Sequence, residues 1–387
     1  MTFTKLLHEA EKFLYTEMTI RRIKNRILFP VVAIFFLFLA GCKKDNQNDR
    51  SGAFDRKLLL ENMADNIIIP HWEVMQAKTD SMVITLFDLT SNPSQVSLSA
   101  VQNSWVAAYL QWQHCNTFNY GPAEKPILGM VNENLGTWPV NTAVAESRIQ
   151  AGDYKFNDFR RDSRGFLTLE YLLYADGALD SLTSSINASN RKEYLTRVAG
   201  DIKSWIDDIN TGWKNYRDVF VNNTDKSAGS PTSNLYNEFV KSFESVKNFK
   251  VGLPAGKRAG QVQAEPQLAE AYYSGLSVLF MKENFKAAEN IWRGVGADGI
   301  NRAGFDDYLD KVTGGIELKN ATVQQLTAVN MQFQSFNNAE KFSELVVNDL
   351  TRVDRLHTEL QKMTRYFKSD LSSLLGISIT FSSGDGD

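Results

Sequence analysis

The chain has 387 residues, with 42 lysines and arginines against 45 aspartates and glutamates and a formal net charge of −3. So even a balance, without a long basic run, argues against nucleic acid as a partner. Its length suffices for two cores of ordinary domain size, and its aromatic content of 11% can fill them.

At the N-terminus Arg21, Arg22, Lys24 and Arg26 precede an uncharged stretch over residues 27–40 and then Gly41-Cys42. This is the succession of a secretory signal: basic region, apolar core, small residues at the cut. The apolar stretch would span roughly 21 Å at about 1.5 Å per helical residue, short of the roughly 30 Å hydrocarbon layer, so it reads as a leader rather than a membrane span. Leu39-Ala40-Gly41-Cys42 resembles the bacterial lipobox. That resemblance implies cleavage before Cys42, lipid on that cysteine, and a membrane partner held through it. The expected location is the bacterial cell envelope, at the outer membrane on its periplasmic or surface face; the alternative is an ordinary cleaved signal with a chance cysteine. Glu9, Glu11 and Glu17 are unusual ahead of such a leader and make Met18 an alternative start. With Cys42 lipidated only Cys115 remains, so no intramolecular disulfide is expected and packing must hold the fold. Signal peptide is thus expected over residues 1–41 and a flexible lipidated tether over 42–55.

Beyond the tether the apolar spacing is helical almost everywhere, and alternating β-branched runs are nearly absent, so an all-α protein is expected. Helices are predicted over residues 57–87, 94–118, 166–174, 198–220, 236–249, 268–292, 323–336 and 342–367. Pro70 should kink or split the first of these, since it removes a backbone donor and clashes with the preceding turn. In the fourth, Val198, Ile202, Trp205, Ile206, Ile209, Trp213, Tyr216 and Phe220 form one stripe at steps of three and four. Residues 222–234, with Gly229 and Pro231, are the best internal linker. They divide the body into helical bundles over 56–225 and 226–387. Long loops over 119–143 and 252–266 are more often functional than idle in a compact helical protein.

Metal and nucleophile patterns are largely missing. His71 with Glu73, and His357 with Glu359, stand two apart and face different sides of a helix. Asp354 and His357 share a face but read as a solvated pair. His114 and Cys115 diverge by about 100°, and a buried or half-buried thiol is expected at Cys115. No H-E-x-x-H, G-x-S-x-G or phosphate-binding glycine loop occurs.

The run Arg164-Gly165-Phe166-Leu167-Thr168-Leu169-Glu170-Tyr171-Leu172-Leu173 resembles the signature G-x-H-x-x-E of the imelysin family, with Leu167 in place of the histidine. Similarity continues in order through Ile68-Ile69-Pro70, Ser104-Trp105, Trp138-Pro139, Gly252-Leu253-Pro254-Ala255-Gly256, Glu270-Ala271-Tyr272-Tyr273-Ser274, Gly376-Ile377-Ser378-Ile379-Thr380 and Gly384-Asp385-Gly386-Asp387. The resemblance implies an exported bacterial protein of two helical bundles with a site between them, in a family classed as peptidases and linked to iron acquisition. It points to Trp138, Arg164, Gly165, Glu170, Glu270 and Ser274 as the site. Glu170 is then the best candidate for holding a metal, with iron or zinc bound weakly at most. Each residue also has a plainer role: Glu170 bracing a loop, Glu270 and Ser274 sharing a face in a closely packed helix, Trp138 plugging a gap between helices, Asp385 and Asp387 solvated. The expectation is a non-catalytic envelope lipoprotein binding a small ligand or iron-related cargo. The rivals are a metal-dependent peptidase, which would be expected to keep a histidine at position 167, and a purely structural envelope protein, which would lack a polar cleft.

Overall fold

The computed structural model describes residues 54–382. The leader, Cys42, most of the tether, and Asp385 and Asp387 lie outside these residues. Within them the chain is helix, turn and loop apart from one antiparallel ribbon, β1 (Glu124–Lys125) against β2 (Gly129–Met130), and an isolated antiparallel bridge between Val295 and Asn301.

Helix α1 (Arg56–Asn62) passes through a π-helical turn (Met63–Ile68) into α2 (Ile69–Ser91) without a break. Here the effect expected of Pro70 takes a specific form. Proline offers no amide to the ladder, and the amide just before it, that of Ile69, reaches back five residues to Ala64 O. After residues 92–94 the chain turns into α3 (Gln95–Cys115), started by a capping box: Ser97 N–H donates to Ser94 Oγ at 3.1 Å and Ser94 N–H to Ser97 Oγ at 3.0 Å. The expected loop over 119–143 holds β1, β2 and α4 (Val131–Leu135); α5 (Thr142–Ala151), α6 (Gly165–Tyr174) and α7 (Ala178–Thr183) follow. The 35-residue helix α8 (Ala188–Asn222) lays its predicted stripe against α2 and α6, with Val198, Ile202, Trp205, Ile206, Ile209, Trp213 and Phe220 buried.

The connection over residues 223–230 leads to α9 (Pro231–Ser245), which begins on proline and is capped by Ser230 Oγ accepting Ser233 N–H at 3.3 Å. A second π-helical turn (Val246–Gly252) extends it. Then come α10 (Ser277–Arg293), α11 (Phe305–Leu309), α12 (Gly315–Gln334), α13 (Phe342–Asn348), α14 (Leu350–Thr364), a π-helical turn (Arg365–Asp370) and α15 (Leu371–Leu375). The helix expected over 342–367 is divided at Asp349, whose side chain accepts Arg352 N–H at 3.3 Å and starts α14. The helix expected over 268–292 begins only at Ser277.

The helices on either side of the 223–230 connection share one buried apolar cluster that runs from Leu59 to Ile377. Helix α3 packs on α10 across the two halves. The start of the body also reaches over: Phe54 stacks on Tyr308 at 4.4 Å, and Asn62 donates to both Gly294 O and Ala303 O at 2.9 Å. Among the described residues no helix is long and apolar enough to cross a membrane.

Candidate functional site

The first turn of α6 is fixed by backbone crowding. Gly165 has φ +78°, and a Cβ there would lie 2.6 Å from Leu135 O and 2.8 Å from Asn134 O, so only glycine lets α6 meet the end of α4. Arg164, 1% exposed, donates to Phe156 O and Asn134 Oδ1, and to Asp158 O at 3.2 Å. It ties the loop before α6 to α4. Arg164 and Gly165 therefore brace the start of α6 and line neither the Glu170 cavity nor the Lys250 cavity described below.

One turn further, Glu170 is buried and its Oε1 accepts Ser274 N–H at 2.7 Å, joining α6 to the second half. Burial pushes its carboxyl up to about 8, with the nearby Glu270 adding to the rise and the hydrogen bonds from Ser274 opposing it. At neutral pH Glu170 is mostly protonated. Leu167, Glu170, Trp138, Tyr272 and Tyr273 enclose a small cavity of about 40 Å³.

The segment holding Glu270 and Ser274 is not the helix expected from its composition. Residues 269–275 form consecutive turns, with Ala271 at φ +52° and Gly275 at φ +72° in the left-handed region. The one-turn relation inferred between Glu270 and Ser274 is thereby lost: Ser274 faces Glu170, while Glu270, 2% exposed, faces Lys250.

Lys250 was not foreseen. It sits on the π-helical turn after α9, 2% exposed, with Nζ 2.9 Å from both Glu270 oxygens and 2.6 Å from Gln113 Oε1. Tyr109 OH donates to Glu270 Oε1 at 2.7 Å. Burial pulls the Lys250 amine below its usual range, opposed by Glu270, and burial followed by Glu270 pushes the Tyr109 phenol up. This cluster is drawn from α3, the π-helical turn and the 269–275 turns, hence from both halves.

Lys250 and Glu270 form part of the wall of a cavity of about 440 Å³, with Trp112, Trp138 and Phe249 as its aromatic surfaces and Asn116, Asn119 and Asn132 among its amides. The size is that of a small-molecule site. Its other charged wall residues are paired as well: Lys241 with Glu238 at 2.5 Å and Glu133 with Arg161 at 2.5 Å. Trp138 lines both this cavity and the Glu170 cavity, and Lys250 Nζ lies 6.0 Å from its ring centroid. Of the six residues singled out from the sequence, Glu270 and Glu170 thus line two cavities that share Trp138, and Ser274 joins them through its N–H on Glu170.

Another grouping escaped the sequence. His71 of α2 and His114 of α3 stack at 4.6 Å, and His114 Nε2 lies 2.7 Å from Glu283 Oε1 of α10. Burial, then the neighbouring His114, brings His71 down to about 3, so it is neutral. Cys115 is buried as expected, and its thiol is pushed up by that burial. Asp354, read as half of a solvated pair with His357, forms an ion pair with Lys257 at 2.8 Å. No group of three or more histidine, cysteine, aspartate or glutamate side chains in metal-holding geometry occurs among the described residues.

The imelysin peptidase family model matches residues 68–365. Iron-regulated protein A of Synechococcus elongatus is 24% identical over 269 residues, covering 65% of this chain and 68% of its own length. Among solved structures, a putative iron-regulated protein A precursor from Parabacteroides distasonis aligns with a TM-score of 0.69 at 18% identity, over 84% of this chain and 97% of that one. An imelysin-like protein from Psychrobacter arcticum aligns with a TM-score of 0.65 at 17% identity, over the same shares of the two chains. With the family match spanning most of the described helices, the chain belongs to the imelysin family.

Proposed function

We propose that the protein is a non-catalytic ligand-binding member of this family, anchored in the bacterial envelope through lipid on Cys42 and taking its ligand in the cavity between the two helical halves. The observation that carries the reading is the wall of that cavity, built from both halves on the closed Lys250, Glu270, Tyr109 and Gln113 cluster.

The donor set does not suit a dication. Leu167 has no lone pair to offer, Glu170 is mostly protonated with an oxygen committed to Ser274 N–H, and Glu270 already faces the ammonium of Lys250. A catalytic metal needs anionic or imidazole ligands plus an open position and a base, and a buried cation 2.9 Å from the carboxylate opposes its entry. The link to iron rests on relatives named iron-regulated protein A. We carry it over as a role in iron uptake, in which iron reaches this cavity as part of an organic complex. Metal analysis of the protein purified from its own host tests the non-catalytic part of this reading: substoichiometric zinc is expected, and one tightly held zinc ion per chain would overturn it.

A further inference from the structure

Resting on the reading of a lipid anchor at Cys42, we propose that the β1–β2 turn and the neighbouring loop over residues 153–164 make a second, weaker membrane contact. In it Ile127 and Phe159 insert into the bilayer surface and Arg160 meets the lipid phosphates. Single exposed apolar side chains are ordinary. Two observations set this place apart. Ile127, at the tip of the ribbon, is 88% exposed and has φ +73°. A β-branched residue is strained in that left-handed region, where glycine sits freely, and an isoleucine side chain in solvent gains no packing in return. The second observation is its company. Phe159 is 78% exposed, and the two loops are tied together: Arg161 Nη2 donates to Leu128 O at 2.7 Å, while its Cζ lies 5.5 Å from the Phe159 ring centroid. Asn134 Nδ2 donates to the same Leu128 carbonyl at 3.0 Å. Two projecting apolar side chains thus share one platform.

Phe159 and Arg160 line an open groove, with Glu133, Arg161 and Asp162 among its other residues. Glu133 is taken by Arg161 at 2.5 Å and Asp162 Oδ1 is buried, while exposed Arg160 has no acidic partner among the described residues. Two apolar side chains and one free cation suit shallow insertion among headgroups, and are far fewer than the roughly 20–30 residues a side of a stable protein interface. The bilayer is also within reach. Residues 43–53 separate Cys42 from Phe54 and extend at most about 40 Å at roughly 3.5 Å per residue. The body starts just beyond the end of α8, where Arg56 Nε donates to Thr224 O at 2.7 Å. The ribbon packs on the same helix, with Lys125 Nζ 2.6 Å from Asp208 Oδ2 and 4.3 Å from the Trp205 ring centroid. From Asp208 to the last residue of α8, Asn222, is about 20 Å at 1.5 Å per residue, so the tether is long enough for a lipid on Cys42 and the ribbon tip to meet one surface.

The test is flotation of the mature chain made without its lipid, residues 43–387, with vesicles of phosphatidylethanolamine and phosphatidylglycerol. Weak, saturable binding is expected. Ile127→Gly and Phe159→Ser should each lower the partition coefficient about fivefold and Arg160→Glu about threefold. Met331→Ser, which removes another exposed apolar side chain, on α12, should leave it unchanged. Thermal melts verify that the variants are folded. A parent that does not float, or flotation that folded Ile127→Gly and Phe159→Ser leave intact, overturns the assignment. Dimers in sedimentation that Ile127→Gly dissociates, without vesicle binding, give the loops to a second copy of the chain and overturn the bilayer. Because the tested chain lacks Cys42, these outcomes are separate from lipidation, which the mass of the native N-terminus decides.

Discussion

Glu170 shows how much of a residue's chemistry its place in the sequence leaves open. Its place in the signature was visible from Gly165 and Leu167, but its protonation follows from burial between α6 and the 269–275 turns, which no spacing reveals. The sign of the consequence is definite. A carboxyl whose folded pKa is raised from 4.5 to about 8 keeps the native chain holding a proton that the unfolded chain releases. Its contribution is therefore present in full below about pH 4.5 and is lost as pH rises through 8. Glu170→Gln should flatten the fall in stability across that interval, costing within about 1 kcal/mol at pH 6 because the amide oxygen can still accept Ser274 N–H. Melting curves of both proteins between pH 5 and 9 check this; parallel curves would contradict it. Gly165 was legible as a signature position, while the reason it must be glycine, the carbonyls of Asn134 and Leu135 against its α-carbon, is tertiary.

At the level of elements, periodicity identified the long helices because a stripe at three and four spacing has one stable solution, burial of that face. It failed where the backbone leaves the regular helix. The alanine-, tyrosine- and serine-containing run after Leu268 reads as helix, yet Ala271 takes a left-handed conformation and the helix waits until Ser277. Lys250 was missed for a related reason: in an ordinary polar stretch a lysine is assigned to solvent, and only the π-helical turn over Val246–Gly252 brings it to Glu270. Lys250→Met should cost about 3–5 kcal/mol by leaving Glu270 buried without its cation, and the Lys250→Met/Glu270→Leu double variant should recover most of that loss. Urea unfolding of the two single variants and the double variant measures the coupling. A loss below about 1 kcal/mol in Lys250→Met would show that the pair is not sealed from solvent.

For the whole molecule, the all-α class and the ordered series of family segments were readable, since both depend on local pattern and chain order. What could not be read was which helix meets which. A hydrophobic stripe says that a face is buried without naming its partner, so the reach of Phe54 and Asn62 into the second half, and the stacking of His71 on His114 beside Glu283, came only with the fold. Envelope anchoring is tested at this scale: Cys42→Ala should release the protein from membranes or leave it unprocessed, as seen by fractionation and mass spectrometry. A native protein that is soluble and begins elsewhere would refute lipidation. The central claim, a closed ion-paired cavity that binds a ligand without hydrolysing peptides, is tested most directly by titrating the mature protein with zinc in a calorimeter. The same samples, with and without zinc, are then assayed for cleavage of an unfolded protein substrate beside Glu170→Ala. No tight zinc binding and no cleavage by either protein are expected; stoichiometric zinc with hydrolysis that disappears in Glu170→Ala would refute the non-catalytic reading.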